Sequence, residues 1–121
     1  MSTILFVEDE HAWRAVFGEF LRNEGFTVLE AADITEATDA CRELSEPVDL
    51  SIIDVKSGMR LARRLTQRYP HMSVLFIGDS EEMSGQSPPQ LTYEYLRKPF
   101  TAETLLKSVQ GLIQSGAASW G

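Results

Sequence analysis

The chain reads as one α/β domain in which a doubly wound parallel sheet lies between two layers of helices. Three observations predict it. Short apolar runs recur at Ile4 to Val7, at Leu50 to Ile53, where Ser51 is the one polar residue, and at Val74 to Ile77, and runs rich in β-branched residues without polar alternation suit strands buried on both faces. Stretches with apolar residues at helical spacing separate these runs. The connections are short, which favours right-handed crossovers that return each strand parallel to the last.

Each element has its own signal. After the first strand, Trp13, Val16, Phe17, Phe20 and Leu21 form the apolar stripe of a helix that Gly25 ends as a C′ residue. Phe26 to Glu30 reads as a weaker second strand. Asp33 and Glu36 stand three apart, like a capping box, ahead of Ala37, Ala40, Cys41 and Leu44, and Pro47 closes this second helix. Met59, Ala62, Leu65 and Tyr69 mark a third helix up to Pro70, and Glu94 to Leu96 make a short fifth strand. Leu105, Val109, Leu112 and Ile113 mark a last helix that begins near Thr101.

One stretch breaks the alternation. Between Gly78 and Thr92, Gly85, Ser87, Pro88 and Pro89 stand where a fourth helix is due, so that helix is predicted to be short or lost. The expected domain covers residues 1–114, and residues 115–121, rich in Gly, Ala and Ser, form a flexible tail.

Composition narrows the function. With 121 residues and 43% hydrophobic content, the chain holds one core and no room for an output module beside it. A net charge of −7, from 18 acidic and 11 basic residues, works against direct contact with nucleic acid or an anionic membrane. Cys41 is the only cysteine and belongs to the apolar side of its helix. The start has no basic region and too short an apolar run for a signal peptide or a span, so the cytoplasm is the expected location.

Ligands of open α/β sheets bind beyond the carboxyl ends of the strands. Here Glu8-Asp9-Glu10 follows the first strand, Asp54 closes the third, and Lys98-Pro99 follows the fifth. With the first and third strands adjacent, Glu8, Asp9 and Asp54 would repel one another unless a cation intervened, and hard oxygen ligands suit Mg²⁺. Asp54 then reads as a nucleophile towards a phosphoryl donor, with the Lys98 ammonium stabilising charge on the transferred group.

Taken together, Ile4-Leu5-Phe6-Val7-Glu8-Asp9-Glu10, Val48-Asp49-Leu50-Ser51-Ile52-Ile53-Asp54 and Tyr95-Leu96-Arg97-Lys98-Pro99-Phe100 resemble the receiver domain of two-component response regulators. The likeness spans almost the whole chain and implies a flavodoxin-like sheet of order 2-1-3-4-5. It also implies that Asp54 accepts phosphate from a histidine kinase or phosphotransfer protein. Glu8, Asp9, Asp54 and the Lys56 carbonyl would bind Mg²⁺, Lys98 would contact the phosphoryl group, and Tyr95 would stand at the family's aromatic switch position. Beyond self-phosphorylation and dephosphorylation no enzyme activity is implied. The output would be a downstream protein partner, and a homodimer is compatible with it.

Departures surround this framework. The loop after Asp54 reaches Gly58 sooner than in the family, and Gly78 replaces the usual Thr or Ser, with Ser80 the nearest hydroxyl. These features favour a second reading, a pseudo-receiver that docks without phosphorylation. Arg60, Arg63, Arg64 and Arg68 make a basic face on the third helix that reads as solvated or as a dock for an acidic partner. His11 follows the acidic residues at the start of the first helix but has no second His or Cys beside it and reads as a weak metal-ligand candidate, and His71, after Pro70, reads as a surface turn residue. A metabolic enzyme lacks support, because the chain has no Gly-rich phosphate loop, strand-turn Ser nucleophile or paired metal histidines.

Overall fold

The computed structural model describes residues 2–79 and 92–118. Along the chain run β1 (Thr3–Val7), α1 (His11–Asn23), β2 (Thr27–Ala31), α2 (Ile34–Arg42), β3 (Leu50–Asp54) and α3 (Val55–Arg68). β4 (Ser73–Gly78), β5 (Tyr93–Arg97) and α4 (Ala102–Ala118) follow. The sheet order is β2-β1-β3-β4-β5, and every neighbouring pair is parallel. This is the flavodoxin-like order 2-1-3-4-5. The expected short or lost helix and Ser80 lie outside the described residues.

The three apolar runs lie in the three central strands, each buried along its whole length, Ser51 included. Their alternate side chains feed two core layers. Leu5, Val7, Ile53, Val74 and Phe76 pack with Ala37 and Cys41 of α2 and Leu61, Ala62 and Leu65 of α3. Ile4, Phe6, Leu50, Ile52, Leu75 and Ile77 pack on the other face with Leu21 of α1 and Leu105, Val109 and Leu112 of α4. Among the described residues, no helix is long and apolar enough to cross a membrane.

Helix ends follow local chemistry. Gly25 adopts φ 101°, the left-handed conformation that ends α1 without a Cβ penalty. Asp33 caps α2 by accepting from the Glu36 amide at 2.9 Å, while Glu36 Oε1 accepts from the Ala32 amide. Thr101 Oγ1 accepts from the Thr104 amide at the start of α4.

Three details differ from expectation. Val16 is 66% exposed, because its position on α1 falls at the edge of the stripe that Trp13, Phe17, Phe20 and Leu21 turn inward. α4 continues to Ala118, four residues into the segment read as tail. Most consequential for the site, α3 begins at Val55 with no intervening loop. Asp54, the last residue of β3, is itself the N-cap, and its Oδ1 accepts from the Lys56 amide at 2.9 Å.

Candidate functional site

Strand register assembles the site. Val7 pairs with Ala31 on one side and Ile53 on the other, so Glu8 and Asp54 emerge side by side at the carboxyl edge of the sheet. Asp54 lies opposite Ile77 and Gly78 opposite Arg97, which sets Lys98 one step beyond the same edge. The Lys98 amide donates to the Gly78 carbonyl at 2.7 Å, so its backbone is pinned where the side chain can reach inward.

That side chain joins residues far apart in sequence. Lys98 Nζ donates to Glu8 Oε2 at 2.9 Å and to Asp54 Oδ2 at 3.1 Å. All three groups are largely withdrawn from water, with the Lys98, Glu8 and Asp54 side chains 17%, 2% and 9% exposed. The remaining side of the ammonium lies 4.8 Å from the centroid of the Trp13 ring, a cation–π contact that a buried cation strengthens. Trp13 is held in turn by Phe6, Phe17 and Phe100 at centroid distances of 5.9, 4.5 and 5.2 Å.

The electrostatics follow from this packing. Burial pushes the Glu8 carboxyl above its ordinary value, against the lowering pull of Lys98. Exposed Asp9 is held below its ordinary value, chiefly by its hydrogen bond with Glu8. Burial works against a charged Lys98, yet its bonds to Glu8 and Asp54 outweigh that penalty and leave its pKa raised.

Glu8, Asp9 and Asp54 line one small pocket of about 20 Å³ together with Val7, Ala32 and Lys56, room for a single water or ion. Among the described residues no three His, Cys, Asp or Glu side chains gather closely enough to cage a metal by themselves. Mg²⁺ asks for less, since it usually keeps several waters and takes one or two carboxylates. The donor set therefore fits a hydrated Mg²⁺. The Lys56 carbonyl fits less well, because Lys56 stands in the first turn of α3, where carbonyls point along the axis away from the helix N-terminus.

Gly78 is buried at the end of β4, and a Cβ there would stand 2.7 Å from Val55 Cγ2 and 3.0 Å from the Tyr95 hydroxyl. Tyr95 is half-buried and packs on the α2–α3 core layer. The space that a Thr or Ser would need is thus filled from two sides, by Val55 at the start of α3 and by Tyr95. His11 and His71 are exposed, and neither lines the pocket of Glu8, Asp9 and Asp54. A larger cleft of about 480 Å³ opens at the opposite end of the sheet, between Pro47, Tyr69, His71 and Ile113, and none of the clustered carboxylates lines it.

The model of the response regulator receiver domain matches residues 4–110. This chain belongs to the response regulator receiver family. The receiver is 32% identical over 119 residues to the sensor kinase CckA of Brucella abortus, covering 93% of this chain and 13% of that protein. It is 27% identical over 119 residues to the transcriptional regulatory protein CpxR of Escherichia coli, covering 94% of this chain and 50% of that one. The receiver thus spans at most about half the length of these two relatives. Among solved structures it resembles a receiver domain from Clostridium thermocellum, at 27% identity, 98% coverage of both chains and a TM-score of 0.85. It also resembles the receiver domain of the hybrid histidine kinase CckA, at 34% identity, 93% and 99% coverage and a TM-score of 0.78. Receivers are signalling modules rather than enzymes, work with histidine kinases or phosphotransfer proteins, and typically bind Mg²⁺ at the phosphorylation site.

Two further residues belong to the receiver site. Trp13, on the stripe of α1 that starts beside the acidic residues, sets its ring against the Lys98 ammonium. Arg14, 8% exposed, donates to the Glu8 carbonyl and to Glu30 Oε1, tying α1 to the ends of β1 and β2. The signal for it was an arginine on the inward side of an apolar stripe, with an acid closing the next strand.

Proposed function

We propose that this receiver accepts a phosphoryl group on Asp54 from the phosphohistidine of a histidine kinase or phosphotransfer protein, and signals by changing its affinity for a protein partner. The observation that carries the reading is the Lys98 ammonium bonded to carboxylates from two separate strands. An Asp54 carboxylate oxygen attacks phosphorus, the bond to the histidine nitrogen breaks, and the imidazole leaves on the donor protein. Lys98 then exchanges a carboxylate contact for the oxygens of the transferred group and offsets their charge. Glu8, Asp9 and Asp54 are the residues that would hold Mg²⁺, which when bound neutralises charge between carboxylates and phosphoryl oxygens. The net charge of −7 supports a protein partner rather than nucleic acid or a membrane surface.

A second reading, a pseudo-receiver that docks without phosphorylation, is favoured by Gly78, which offers no hydroxyl. It is also favoured by the cap of α3, which engages Asp54 Oδ1 with the Lys56 amide. Transfer from a radiolabelled phosphohistidine donor separates the readings. Label on the native chain, absent from Asp54→Asn, supports phosphoryl acceptance; an unlabelled native chain beside a labelled control receiver leaves the docking module.

A further inference from the structure

The charge of α3 is opposite to that of the chain. Of 11 basic residues in all, Lys56, Arg60, Arg63, Arg64 and Arg68 stand on this one helix, which holds no Asp or Glu. The next acid after Asp54 in sequence is Asp79. At 3.6 residues per turn Lys56, Arg60 and Arg63 fall in one line with Arg64 beside it, a stripe about 12 Å long, opposite the buried Leu61, Ala62 and Leu65.

Arg68 serves the fold, since its guanidinium donates to the Tyr69 hydroxyl and the Cys41 carbonyl. Arg60, Arg63 and Arg64 do not. They are exposed, and among the described residues their side chains form no ion pair or hydrogen bond. Like charges three and four apart destabilise a helix, and a cation in the first turn, as at Lys56, opposes the helix dipole. The arrangement weakens α3 and is compensated by no carboxylate on it.

From this we infer that the outer face of α3 is a docking surface for an acidic protein partner, one that presents Asp and Glu at helical spacing. Arginine forks match carboxylates in pairs of parallel hydrogen bonds. A nucleic-acid duplex fits worse, because its unbroken line of phosphates would extend past the stripe onto the acidic remainder of a chain of net charge −7. The surface is present whether or not Asp54 is phosphorylated, so the inference stands apart from the proposed phosphoryl chemistry.

The test is an amide chemical-shift titration of the full chain with a synthetic helical peptide bearing Glu at i, i+3 and i+4, at low ionic strength. The expected result is shifts concentrated on residues 56–67, with affinity falling as salt rises. Arg60→Gln/Arg63→Gln weakens binding about tenfold or more, whereas Arg42→Gln/Lys107→Gln, which removes the same charge elsewhere, leaves it within about twofold. Absent or scattered shifts, equal weakening by both double variants, or tighter binding of a DNA duplex than of the peptide at the same salt would overturn the inference.

Discussion

Substituting Gly78 with alanine probes the contact between β4 and the start of α3. The new Cβ would lie 2.7 Å from Val55 Cγ2, whereas carbons in contact sit at about 3.5–4.0 Å, so the valine must retreat by roughly 1 Å. Val55 is β-branched, opens α3 and packs on the core, which leaves its side chain little freedom. The Tyr95 hydroxyl at 3.0 Å is the far end of a longer side chain and can yield more easily. Overpacking of this kind costs about 1–3 kcal/mol, and replacing glycine returns about 0.4–1 kcal/mol through the unfolded chain. The net expectation is a loss of about 0.5–2 kcal/mol, a fall in Tm of roughly 2–8 °C for a domain of this size. Urea and thermal denaturation of Gly78→Ala, Val55→Ala and the double variant measure it. In the Val55→Ala background the clash is gone, so Gly78→Ala becomes neutral or stabilising. An alanine that stabilises the native chain, or one equally harmful in both backgrounds, would refute the contact.

Other predictions concern the acidic cluster. Lys98→Met strands two buried carboxylates and lowers stability by about 3–5 kcal/mol at neutral pH, measured by urea denaturation. Because the folded pKa of Lys98 is raised above its ordinary 10.5, its contribution is complete below that value and lost as pH climbs through the folded one. The gap between native chain and Lys98→Met therefore narrows above about pH 10.5, and an unchanged gap at higher pH would contradict the assignment. Trp13→Leu keeps an apolar side chain but loses the ring beside the ammonium, costing about 0.5–2 kcal/mol more than Trp13→Phe; equal denaturation curves would remove the cation–π contact from the account. Asp54→Ala forfeits the cap of α3 while Asp54→Asn retains it, so the alanine variant should be less stable by about 1 kcal/mol.

Much of this structure was legible before any coordinates. Ile4 to Val7, Leu50 to Ile53 and Val74 to Ile77 could be read as buried strands because Ser51 is the one polar residue among them and no polar alternation appears, and Asp33 with Glu36 announced α2 through its capping chemistry. The meeting of Glu8, Asp54 and Lys98 followed from strand order alone. What escaped depends on geometry without a local signature. The apolar spacing of α3 begins at Met59, yet Asp54 ends a strand and caps a helix at once, which puts the start at Val55 and fills the space beside Gly78. Arg14 and Trp13 are neighbours in sequence, and nothing in their spacing says that one reaches the Glu8 carbonyl and the other the Lys98 ammonium across the sheet edge.

The account rests most heavily on Asp54 being the acceptor that Lys98 and the neighbouring acids prepare. Intact-mass measurement of the chain after incubation with acetyl phosphate and Mg²⁺ addresses this directly. A single added phosphoryl group that does not form when the metal is chelated beforehand and never appears on Asp54→Asn is the predicted result. A native chain with unchanged mass, or an adduct that persists when Asp54 is replaced, would contradict it.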